Sequence, residues 1–133
     1  MIRLFAICKN PYLFDSFKPT LQANDIEIVQ VCNDPEKAVE VYKQISVDIV
    51  ITDFNWIYHK VTGPQLVQAL LEFDKDARII GFTTHFDQKV CERLKDCGAK
   101  GYFPKNESLY IIIECISVVC LGKTFYYIQE PTK

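Results

Sequence analysis

Five mostly apolar runs, four of them containing β-branched residues, alternate with five stretches of helical pattern along this chain. The runs at 2–7, 26–32, 48–53, 77–83 and 100–103 are close to continuous in apolar character rather than alternating. That is the pattern of strands covered on both faces. The stretches at 11–23, 35–45, 64–73, 86–97 and 108–121 carry apolar residues at helical spacing, such as Ala38, Val41, Tyr42 and Ile45, or Val90, Cys91, Leu94 and Cys97. Local punctuation agrees. Asn10-Pro11 and Asp34-Pro35 each set a capping side chain before a proline suited to the first helical position. Ser108 can cap the last helix, and Gly98 and Gly122 suit helix C-termini. Pro19 is the local conflict, because inside the first helix it removes a backbone hydrogen bond and predicts a kink or a shorter helix. Alternating strands and helices with right-handed crossovers predict an α/β fold. Its core is a doubly wound five-stranded parallel sheet in the order 2-1-3-4-5.

A chain of 133 residues fits one domain around one core. The expected domain is 1–123, with 124–133 as a C-terminal tail. Hydrophobic residues at 49% and charged residues at 24% fit a globular protein. A net charge of −2 without a basic patch argues against nucleic-acid binding by this domain. The six cysteines form no CxxC pair and fall mostly within predicted elements. They read as reduced core thiols of a cytoplasmic protein. The N-terminus reads as a strand rather than a signal peptide, and no apolar stretch reaches the roughly 18 residues of a membrane span. His59 and His85 have no ligand-spaced partners, so no metal site is expected from them. No glycine-rich phosphate loop is present, and Cys8-Lys9-Asn10-Pro11-Tyr12 lacks the hydroxyls and glycines of a flavin phosphate loop.

In an open parallel sheet, chemistry gathers at the carboxyl ends of the strands. The third run ends on Asp53, the fourth on Thr83, and the fifth leads into Lys105. This carboxylate, hydroxyl and ammonium resemble the response-regulator receiver domain, in which an aspartate accepts a phosphoryl group from a histidine kinase. Gly98-Ala-Lys-Gly-Tyr102 is similar to that family's turn into the fifth strand. Leu121-Gly-Lys-Thr-Phe-Tyr126 resembles receivers that precede a LuxR-type helix-turn-helix. The resemblance covers nearly the whole chain and implies a flavodoxin-like receiver fold. It implies Asp53 as phosphoacceptor, Thr83 and Lys105 in the phosphate pocket, and Tyr102 as switch aromatic. It sets Asn55 where the family offers a carbonyl to Mg²⁺. It also implies phosphorelay signal transduction rather than enzyme activity, with a histidine kinase or a downstream protein as partner.

Two departures change the expectation. Cys8-Lys9 stands where the family carries the acidic pair that holds Mg²⁺. Mg²⁺ is a hard cation that wants carboxylate oxygens, and an ammonium repels it. The metal is therefore expected absent or weak, no other cofactor is expected, and Lys9 is expected beside Asp53. The family has a proline four residues and a glycine eight residues after the aspartate. Here Ile57 and Gly63 show a loop longer by two. These features predict an atypical receiver, or pseudo-receiver, acting by protein contact. One alternative is a functional aspartyl phosphoacceptor. Another is a thiol-based redox sensor or small enzyme using Cys8, with Lys9 lowering its pKa or His85 as its base. Finally, helix 108–121 is apolar nearly all round, which predicts a homodimer through its outer face. Leu109, Ile112, Ile113, Ile116 and Cys120 are the candidates, and the sequence does not assign which of them face inward. The competing expectation is that Phe125, Tyr126 and Tyr127 fold back over that helix.

Overall fold

The computed structural model describes residues 1–84 and 86–128. Its strands are β1 (Ile2–Ile7), β2 (Ile26–Cys32), β3 (Ile49–Asp53), β4 (Ile79–Thr83), β5 (Gly101–Pro104) and β6 (Phe125–Tyr126). Its helices are α1 (Tyr12–Ala23), α2 (Pro35–Lys43), α3 (Gly63–Phe73), α4 (Gln88–Cys97) and α5 (Leu109–Cys120). The strands form one sheet in the order β2-β1-β3-β4-β5-β6, and every pairing is parallel. The expected five-stranded order is present, with one more strand at the β5 edge. That strand comes from the segment expected to be a tail. Phe125 N–H donates to the Lys100 carbonyl at 3.0 Å and Tyr127 N–H to the Tyr102 carbonyl at 3.3 Å. The sheet therefore runs past residue 123. Residues 129–133 of the expected tail lie outside the described residues.

Alternation along the strands divides the core into two layers. Phe5, Ile7, Val50 and Ile79 face α2, α3 and α4, packing with Ala38, Leu66, Leu70 and Leu94. Leu4, Ala6, Ile51, Ile80, Phe82 and Phe103 face α1 and α5, packing with Phe14, Leu21, Ile112, Cys115, Ile116 and Val119. On the β2 edge the register slips: Leu4 faces Ile28 while Phe5 faces Gln30, so Val29 is an extra residue.

Several caps match the sequence reading and others correct it. Asp34 accepts from Glu36 N–H at 2.9 Å at the start of α2, and Gly98 ends α4 with φ 105°. Asn10 accepts from Tyr12 N–H at 3.1 Å, but Pro11 itself holds the cap position, so α1 starts one residue late. The side chain of Ser108 makes no cap bond. The helix α1 continues through Pro19 rather than stopping there, with Pro19 exposed. On α5, Ile112 and Ile116 are buried in the core, while Leu109, Ile113 and Cys120 lie half-buried against it. Phe125 and Tyr127 pack on the same layer, so the chain after α5 covers part of it. The outer surface of α5 shows Tyr110, Glu114 and Leu121, while of the five candidate residues, whose inward and outward members the sequence left open, Ile112 and Ile116 face the core.

Candidate functional site

The carboxyl ends of β1, β3, β4 and β5 lie side by side, which brings the three sequence-predicted residues together. Asp53 ends β3 and is 1% exposed. A buried carboxylate must be paired and hydrogen-bonded, and both of its oxygens are engaged. The Lys105 ammonium pairs with Oδ1. The main-chain N–H of Lys9 donates to Oδ2 at 2.7 Å. Lys105 is placed by its own N–H, which donates to the Thr83 carbonyl at 3.0 Å, and its ammonium lies 4.8 Å from the centre of the Phe82 ring. Thr83 ends β4 and is buried; its Oγ1 accepts from Asn55 Nδ2 at 3.1 Å. Asn55, two residues past Asp53, thus ties the following loop to the end of β4.

Lys9 departs from its expected role. Among the described residues, the ion pair at Asp53 is with Lys105. Lys9 serves the carboxylate through its backbone while its side chain is exposed. It lines a neighbouring pocket with Asn33, Ile57, Tyr58 and His59. Sequence pattern places residues at strand ends but does not say which atom of a residue will reach the site.

Cys8 also departs. It is 1% exposed, and burial pushes its thiol up to about 12, with the Asp53 charge acting in the same direction and Lys105 opposing it less strongly. The expected activation by Lys9 is not what the surroundings produce. A thiol so raised holds its proton near neutrality and is a poor nucleophile. His85, the other half of the thiol–imidazole reading, lies outside the described residues.

Tyr102 is 4% exposed on β5. Its ring stacks on Tyr126 with centroids 4.9 Å apart and tilts against Phe86 at 5.7 Å. Burial pushes its phenol up, and the adjacent Cys91 thiol adds to this. The predicted switch aromatic is therefore turned inward and covered by β6.

One grouping escaped the sequence reading. His59, expected to lack ligand-spaced partners, sits beside Asp34 and Glu36. The two acids precede β3 and the histidine follows it, so only the fold brings them together.

The family model of the response regulator receiver domain matches residues 9–117. Among curated proteins, the chain is similar to the transcriptional regulatory protein DegU of Brevibacillus brevis, 26% identical over 103 residues, which cover 77% of this chain and 43% of that protein. It is also similar to the transcriptional regulatory protein MctR of Rhizobium johnstonii, 25% identical over 126 residues, covering 94% and 58%. The chain spans about half the length of these curated relatives. Among solved structures, a LuxR-family two-component response regulator from Aurantimonas sp. SI85-9A1 superposes with a TM-score of 0.86 at 20% identity, covering 94% of this chain and 89% of that one. The isolated REC domain of RcsB from Salmonella enterica serovar Typhimurium, solved with the phosphomimetic BeF3−, gives 0.84 at 15% identity, covering 95% and 93%. These two likenesses establish the fold.

Proposed function

The chain belongs to the response regulator receiver family, and from that premise we propose that it is an atypical receiver whose phosphorylation pocket is neutralised from within. It passes signals by protein contact in two-component signalling. The observation that carries this reading is the holding of Asp53. Its two oxygens go to the Lys105 ammonium and the Lys9 amide, and the neighbouring Cys8 offers a buried thiol. Mg²⁺ takes near-octahedral oxygen ligands. A thiol beside one already engaged carboxylate does not fit it. Phosphoryl transfer depends on positioning and charge neutralisation, and Lys105 alone is a weaker substitute for a divalent ion with its ligands.

The test is labelling by a small acyl-phosphate donor in the presence of Mg²⁺. The natural protein is expected to stay unlabelled, and the double change Cys8→Asp with Lys9→Asp is expected to gain label at Asp53. Stoichiometric, Mg²⁺-dependent labelling of the natural protein would reverse the reading in favour of a working phosphoacceptor. The reading based on a reactive Cys8 has the raised thiol and its burial against it.

The expected partners are a histidine kinase or a downstream protein, and a second copy of the chain. The curated relatives are named as transcriptional regulators. By the same reading, this chain works within or alongside a regulator of that kind. Among the described residues, no helix is long and apolar enough to cross a membrane.

A further inference from the structure

We propose that Asp34, Glu36 and His59 form a binding site for one first-row transition-metal dication of the Zn²⁺ class, separate from Asp53. Their donor atoms lie within 4.8 Å of one another, with His59 Nδ1 3.7 Å from Asp34 Oδ1 and 3.9 Å from Glu36 Oε2. Two donors at zinc distances from a tetrahedral centre stand about 3.4 Å apart. The two separations from His59 therefore need to close by about half an ångström or less, and the Asp34–Glu36 separation, which is within 4.8 Å, by at most about 1.4 Å, within the reach of side-chain rotations. One imidazole and two carboxylates select a borderline cation over Mg²⁺, which does not favour nitrogen.

The donors come from two segments: Asp34 and Glu36 from the start of α2, and His59 from the loop after β3. Asp34 is held by the Glu36 N–H at 2.9 Å, so its carboxylate is oriented before any ion arrives. Metal-ligating carboxylates are commonly held by such outer hydrogen bonds. His59 sits on the lengthened loop after Asp53. Its own N–H donates to the Trp56 carbonyl at 3.3 Å, and the Trp56 ring stands edge-on to its imidazole at 5.5 Å. Trp56 is 5% exposed, so it anchors that end of the loop in the core. A pocket of about 280 Å³, lined by Lys9, Asn33, Ile57, Tyr58 and His59, opens beside the imidazole. A bound ion would fasten the loop to the start of α2. This proposal does not depend on how Asp53 is read.

Trp56 is the single tryptophan of the chain and a built-in reporter. Titration of the folded protein with Zn²⁺ alone is expected to change its fluorescence with a stoichiometry of one. His59→Ala, Asp34→Asn and Glu36→Gln are each expected to weaken binding at least tenfold. Asparagine preserves the helix cap, so Asp34→Asn tests the ligand rather than the fold. Asp53→Asn is expected to leave the affinity unchanged. Co²⁺ in place of Zn²⁺ is expected to give no thiolate charge-transfer absorption. Failure to bind, binding indifferent to His59→Ala, loss of binding in Asp53→Asn, or a cobalt–thiolate band would each overturn the site.

Discussion

At Asp53 the two lysines act through different atoms, and their substitutions should separate accordingly. Lys9 donates a main-chain N–H, which any residue but proline supplies. Lys9→Ala is expected to shift stability by less than about 0.5 kcal/mol, the range of ordinary surface changes. Lys105→Met leaves a buried carboxylate without its cation and is expected to cost about 3 kcal/mol. Adding Asp53→Asn should recover most of that loss, and urea unfolding midpoints measure all three. Cys8 makes a second prediction. Its thiol is held at about 12 against an ordinary 9.0, so above pH 9 the unfolded chain releases this proton first. Stability from this group is complete below pH 9 and is lost as pH rises towards 12. Cys8→Ala should remove one proton from the alkaline slope of stability. Asp53, Thr83 and Lys105 were legible in the sequence because each stands at or just past the end of an apolar run. The Lys9 amide and the raised Cys8 thiol were not, since both depend on burial and on which atom turns inward.

Among the elements, the loop between β3 and α3 shows most clearly what the sequence conceals. In that loop, Gly63 lies where the backbone passes close to Phe54 at its start. A Cβ there would sit 2.2 Å from the Phe54 carbonyl oxygen, an atom that cannot swing aside. Gly63→Ala is expected to cost about 2 kcal/mol by forcing the backbone apart, read as a lower thermal midpoint. The helix that follows opens on a reciprocal pair: Gln65 N–H donates to Thr62 Oγ1 at 3.2 Å, and Thr62 N–H to Gln65 Oε1 at 3.0 Å. That capping box is written in the sequence as Thr-x-x-Gln. The strand β6 was beyond reading. Two residues carry no period, and only pairing with β5 and stacking of Tyr126 on Tyr102 define them as a strand.

For the whole molecule, the order of the first five strands was legible because alternating βα units with right-handed crossovers leave few other solutions. Which face of α5 points outward was not legible, because a helix apolar nearly all round has no stripe to read. The structure turns Tyr110 and Leu121 outward, 85% and 76% exposed. If the chain pairs with itself through α5, sedimentation at micromolar concentration should show a dimer. Tyr110→Glu with Leu121→Glu should then give a monomer, and a natural protein monomeric at that concentration would set the pairing aside. The β2 edge bears on a different property. A seven-residue strand rich in Ile and Val, bonded on one side only among the described residues, is a template for adding strands from other molecules. The slip at Val29 interrupts its regular spacing, and Glu27 and Gln30 interrupt its apolar run. With a net charge of only −2, little long-range repulsion keeps copies apart. Glu27→Val with Gln30→Val should therefore leave the unfolding midpoint nearly unchanged while light scattering climbs during storage. The irregular edge is thus expected to guard the shelf life of the protein in concentrated solution.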